Sequence, residues 1–154
     1  PADALFVFSV NCVAVYLAGL TAIVFSGSRP MAALCSWGVP LVNIMGHVGP
    51  AAKKHAYNPG LITAVCLFLP VSVYVVTKVA SLYERFRDKA CCIMGVVVAG
   101  VLVHVLLLLT IVFRASLSYT AFQLVNCVNG LTPFVVGWIW ESVLLSTSVK
   151  VKAQ

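Results

Sequence analysis

Charge is what this sequence has least of. Of its 154 residues, 10 are Lys or Arg and 4 are Asp or Glu, so that 9% carry a charge. A soluble domain carries about 25%. The acids are Asp3, Glu84, Asp88 and Glu141, three of them at loops or chain ends, which leaves little material for acid–base catalysis. The chain also lacks a Gly-rich phosphate loop, a His-Glu-x-x-His pair and a Gly-x-Ser-x-Gly elbow, the local patterns of nucleotide, zinc-protease and hydrolase sites. Six cysteines are present without a Cys-x-x-Cys pair, so neither a zinc site nor a redox dithiol is indicated. No internal repeat stands out. The sequence does not reveal a reaction.

What it has is apolar surface. Hydrophobic residues make up 62% and the mean hydropathy is +1.06. A soluble domain of this size must still cover itself with polar groups, whereas about 20 consecutive apolar residues span a bilayer. The expected fold is all-α, an integral membrane bundle of four to five transmembrane helices forming a single domain. The net charge of +6 does not point to nucleic acid, because no basic stripe with interleaved aromatics exists. The basic residues sit in short clusters between apolar runs, as in membrane-protein loops. Cys12, Cys35, Cys66 and Cys127 lie in apolar segments and read as small buried hydrophobes. Cys91-Cys92 follow a basic loop, so palmitoylation is a second reading for that pair.

Five segments follow, at about residues 4–25, 31–52, 59–77, 90–113 and 119–145. The first is too long for a signal-peptide core and has no basic flank before it. Ser26 to Pro30 form a turn signal. The second segment is weaker, since it holds Trp37, Pro40, Asn43 and His47. In the third, Asn58 is expected to cap the helix with Pro59 at its first position. Pro70 should then kink that helix and leave the Cys66 carbonyl without its donor. Lipid supplies no replacement, so a neighbour must. Pro40 and Pro133 raise the same expectation in segments two and five. The connector Ser81 to Lys89 mixes charge signs and reads as solvated.

If all five segments span, one side carries Arg29, Lys78, Arg85, Arg87, Lys89, Lys150 and Lys152, and the other Lys53, Lys54 and Arg114. The richer side is expected to face cytosol, stroma or matrix. The chain does not begin with Met. With its N-terminus on the translocated side, that fits an organellar protein of the thylakoid or mitochondrial inner membrane after leader removal, with a bacterial inner membrane as the alternative.

Leu41 to Val76, "LVNIMGHVGPAAKKHAYNPGLITAVCLFLPVSVYVV", resembles the later part of the HXXEE-domain family of small membrane proteins. There an Asn and a His on one helix precede a Tyr-x-Pro-Gly turn and a helix with an internal proline. The matching residues are Asn43, His47, Tyr57, Pro59, Gly60 and Pro70. The family's His-x-x-Glu-Glu motif is absent, so the resemblance implies a helical membrane fold and no chemistry.

Polar groups at membrane depth are the functional suspects. His104, in "GVLVHVLLLLT", has no charged neighbour in sequence. It is read as a hydrogen-bonded interface histidine, as an axial ligand for haem iron or chlorophyll magnesium, or as a proton carrier. No other cofactor is indicated. His47 is a second candidate ligand, but the topology sets it roughly 6 Å from the depth of His104, which disfavours a shared haem. Gln123, Asn126 and Asn129 share a helix face. With Asn43 they form either a hydrogen-bond seam or the wall of a substrate path. Glu141, close to Trp138 and Trp140, fits an interfacial position with aromatic anchors. Ala14/Ala18 and Gly95/Ala99 allow close helix contact.

Two functions are carried forward. One is a non-catalytic accessory subunit of a photosynthetic or respiratory complex, with membrane lipids and other subunits as partners. The other is an independent membrane enzyme or transporter for a lipid-like or small molecule. Convergence of the polar residues on one cavity favours the second.

Overall fold

The computed structural model describes residues 4–82 and 88–152. Arg85 and Arg87 of the orientation count, and most of the 81–89 connector, lie outside these. The described residues form helices and no strand. Helix α1 covers residues 4–25, with a π-helical turn at Ser9–Ala14. Helices α2 (Pro30–Ser36) and α3 (Gly38–Lys54) make one interrupted span. Helix α4 covers residues 61–82, α5 Lys89–Val112, α6 Tyr119–Val128 and α7 Thr132–Lys152. Four spans, Pro30–Lys54, Leu61–Lys78, Lys89–Val112 and Tyr119–Leu144, are long and apolar enough to cross a membrane, and Cys12–Phe25 is a shorter apolar helix. The protein is an integral membrane helical bundle.

Helix starts are set by ordinary chemistry. The Asp88 carboxylate accepts from Cys91 N at 2.9 Å and the Ser118 hydroxyl from Ala121 N at 3.2 Å, each meeting an orphan donor of a first turn. Pro30 opens α2, where its missing N–H costs nothing. Pro40 and Pro133 also fall in first turns, because their segments break beforehand at Trp37 and at the 3₁₀ turn Asn129–Leu131. They therefore restart helices, where kinks within continuous segments were expected.

Pro70 is handled in another way. The residues before it, Ala64–Phe68, form a π-helical turn, in which Leu69 N–H bonds to Ala64 O. The wider turn takes up the carbonyl crowding that proline imposes.

The core gathers around the short helix α2. Pro30, Met31, Ala32, Leu34 and Cys35 are all buried, and Met31, Leu34 and Cys35 cluster with Val76, Cys92, Val96 and Ala99. The span holding α2 is less apolar than Lys89–Val112, with hydropathy 1.3 against 2.8. The difference does not follow burial, since 33% of each span is buried inside the protein. Tyr16, Ile23 and Leu108 show the lipid side, at 78%, 75% and 61% exposure.

Glycine sets the tightest crossing. A Cβ on Gly38 would be driven into Val96 O, and one on Gly100 into Gly38 O. Cys35 meets Gly95 O and Val42 meets Gly100. Residue numbers rise together, so α3 and α5 run parallel. Trp140 meets Gly95 while Asn129 meets Val103, so the last span runs antiparallel to α5.

Candidate ligand-binding cavity

The corner between α3 and α4 is closed by its own polar groups. Pro50 lies inside α3 and cannot donate to Gly46 O. Asn58 Nδ2 replaces that donor, at 3.3 Å from Gly46 O and 3.1 Å from His47 O. Asn58 is therefore not the N-cap of the next helix, as the sequence suggested. The cap is Gly60, at φ 88° and ψ −6°. It is the third residue of a type II turn closed by Leu61 N to Asn58 O at 2.9 Å. His55, at φ 49°, ends α3 in the left-handed conformation, with Ala56 N bonded to Ala51 O and His55 N to Ala52 O, a Schellman closure.

His47 fills this corner. Its Nδ1 lies 2.9 Å from Pro59 O, and a carbonyl only accepts, so Nδ1 carries the proton. Nε2 then accepts from Asn43 Nδ2 at 3.3 Å. Both ring nitrogens are engaged, which leaves no lone pair for a metal. A Cβ on Gly60 would sit 2.7 Å from His47 Cε1, so glycine is required there for space as well as for φ. Four of the six residues behind the family resemblance thus build one structural latch. Tyr57 is exposed, and Pro70 follows the π turn.

A double-mutant cycle tests the latch. Asn58→Ala should cost about 1–3 kcal/mol by orphaning Gly46 O. In a Pro50→Ala background the penalty should shrink by at least half, since the backbone at position 50 then has an N–H of its own for that carbonyl. Denaturation midpoints in detergent give both values, and equal penalties in the two backgrounds would refute the assignment.

The polar face of the last span is tied into the bundle. Asn129 Nδ2 donates to Val103 O at 2.9 Å, and Asn129 Oδ1 accepts from Thr132 at 2.9 Å. Asn126 Oδ1 accepts from Thr110 on α5 at 3.0 Å while its Nδ2 donates to Phe122 O at 2.8 Å. The Gln123 amide oxygen accepts from Ser9 Oγ of α1 at 2.7 Å. These contacts join α6 to α5 and α1.

His104 differs. Its Nδ1 donates to Gly100 O one turn back, at 2.7 Å. Nε2 is then an unprotonated acceptor, and no described residue engages it. The ring is fixed by a backbone carbonyl with the other nitrogen open, which is also how metal-ligating imidazoles are oriented.

His104, Asn43, Asn126 and Asn129 line one cavity of about 870 Å³ between α1, α2, α3, α4, α5 and the α6–α7 junction, open on one side past Val15 and Ile23. Ala18, Ala33, Trp37 and Pro133 contribute to a largely apolar wall. His47 and Gln123 lie outside it. Among the described lining residues none is Asp, Glu, Lys, Arg or Cys, and no cluster of three metal-ligating side chains occurs among the described residues. The volume is at the upper end of the roughly 300–1,000 Å³ typical of small-molecule sites.

Glu141 is not interfacial as expected. It is 0% exposed, and Oε2 accepts from Met31 N at 3.1 Å. Met31 follows Pro30 at the start of α2, where unpaired N–H groups and the helix dipole favour an anion. Arg29 lies over the Trp138 ring at 4.1 Å and Trp140 Nε1 donates to Cys91 O at 3.0 Å. Nothing in the spacing of the sequence signals the Met31–Glu141 contact, whose members are 110 residues apart.

The protein is thus a helical membrane protein with a largely apolar cavity between its helices, whose described lining carries no Asp, Glu, Lys or Arg. A family model, described as a protein of unknown function with HXXEE motif, matches residues 2–75. This partial match, just under half the chain, contains the latch and most of the helices on one side of the cavity. No curated protein and no solved structure matches the chain.

Proposed function

We propose that this protein binds a lipid-like molecule within the bilayer, as a carrier or receptor for it. The supporting observation is the convergence of His104, Asn43, Asn126 and Asn129 on one largely apolar cavity. A long apolar chain suits the wall, and a few polar atoms fix one end. His104 is the cavity's one titratable side chain among the described residues, which supports binding over acid–base chemistry.

The accessory-subunit reading relied on small and polar residues available to other chains. Gly95 is closed by Met31 and Trp140, Gly130 by the Ala14 backbone and Gly137 by Ala32, and the asparagines bond internally. Those features serve the chain's own packing, which favours the cavity reading. Thylakoid, mitochondrial and bacterial membranes all suit it.

Purifying the full chain in mild detergent and extracting bound lipid tests this. About one neutral lipid per chain is expected, and Ala33→Phe, which fills the cavity, should lower occupancy about tenfold or more with helicity unchanged. A large coloured particle carrying pigment, or occupancy indifferent to Ala33→Phe, would overturn the proposal.

A further inference from the structure

The cavity wall leaves both acceptors and donors open. In the neutral imidazole His104 Nε2 is the acceptor, because Nδ1 holds the proton for Gly100 O. Asn43 turns Nδ2 toward His47 Nε2, which leaves its Oδ1 as an acceptor and its second N–H as a donor. The two stand at similar depth. From the Gly38–Gly100 contact, α3 and α5 run parallel. Asn43 and His104 lie five and four residues further on, about 7.5 and 6 Å along. Asn126 and Asn129 each spend their oxygen and one N–H within the protein, which leaves one amide N–H apiece. Trp37, also on the wall, adds an indole N–H without an acceptor among the described residues.

An ionised headgroup would find no Asp, Glu, Lys or Arg among the described lining residues, and burying it unpaired is costly. A ketone or ether only accepts and would leave His104 Nε2 without a donor. A hydroxyl donates its proton and still offers oxygen lone pairs, so it answers both kinds of open group. We infer that the cavity selects a neutral amphiphile with a hydroxyl head, such as a long-chain alcohol or hydroxylated isoprenoid, whose proton is accepted by His104 Nε2. This rests on the cavity-binding reading and adds the chemical class of the ligand.

The probes are 1-hexadecanol, its methyl ether and palmitate at pH 8, each competing with a fluorescent fatty alcohol on the full chain in detergent. Hexadecanol should bind about tenfold or more tightly than the ether, the weight of one well-made hydrogen bond in an apolar site. Palmitate should not compete. His104→Phe should bring the alcohol down to the affinity of the ether, and Ala33→Phe should abolish both. The wild-type comparison needs no variant, so a misfolded mutant cannot obscure it. Equal binding of alcohol and ether would overturn the hydroxyl assignment while leaving the cavity reading intact. No competition by either would overturn both. Ferric haem binding with a Soret band lost in His104→Leu would assign Nε2 to a metal and also overturn it.

Discussion

Gly38→Ala is expected to abolish the native bundle. The added methyl would be driven into Val96 O, and its next neighbours are Gly100 N and Val96 C, each 3.0 Å away. All three are backbone atoms of α5, so no side chain can rotate aside. The two helices would have to separate, and every contact along α3 and α5 would loosen with them. Bilayer lipid is as apolar as the side chains, so helices in it are held by close packing and receive little help from the hydrophobic effect. Overpacking usually costs about 1–3 kcal/mol where side chains can yield, and with only backbone to yield here the cost should reach about 4 kcal/mol or more. Gly19 is the control, because nothing lies within 4 Å of its Cβ position. Gly19→Ala should be neutral or stabilise by up to about 1 kcal/mol through helix propensity. Unfolding in mixed micelles with increasing dodecyl sulfate, followed by circular dichroism, separates the two. A wild-type midpoint for Gly38→Ala would refute the crossing.

Glu141→Leu should be the second most damaging change, at about 2–3 kcal/mol, because it leaves Met31 N–H buried without its acceptor. Glu141→Gln keeps an oxygen where Oε2 stands and should lose less than half as much. Helix α2 is the centre of the core, so loosening its first turn should also widen the cavity wall at Ala33 and Trp37. The same unfolding assay applies. Equal losses for Leu and Gln would show that the carboxylate acts through volume and not as a cap.

Some of this was legible beforehand and some was not. The interruptions at Asn129-Gly130 and Pro133 were visible as residues, and the chain does change helix there. Asn58 misled, because Asn-Pro-Gly reads equally well as a cap with Pro at the first helical position and as a type II turn. The choice depends on Gly46 O, twelve residues back, which Pro50 leaves without a donor. Glu141 misled for a similar reason. Beside two tryptophans it resembles a membrane-surface residue, until α2 presents a bare N-terminus to it. His47 and His104 are the same residue type at membrane depth. Only their partners make one a structural latch and leave the other with an open nitrogen.

The sequence by itself determined that this chain is an all-α membrane protein. Hydropathy and helix-length requirements are local properties, summed over about 20 residues at a time. Which helix is central, which glycines touch backbone, which polar atoms remain unbonded and whether they share a cavity were decided only by the tertiary structure. Those depend on pairs of residues far apart in the chain, such as Met31 with Glu141 or Gly38 with Gly100, and no window along one segment contains both members.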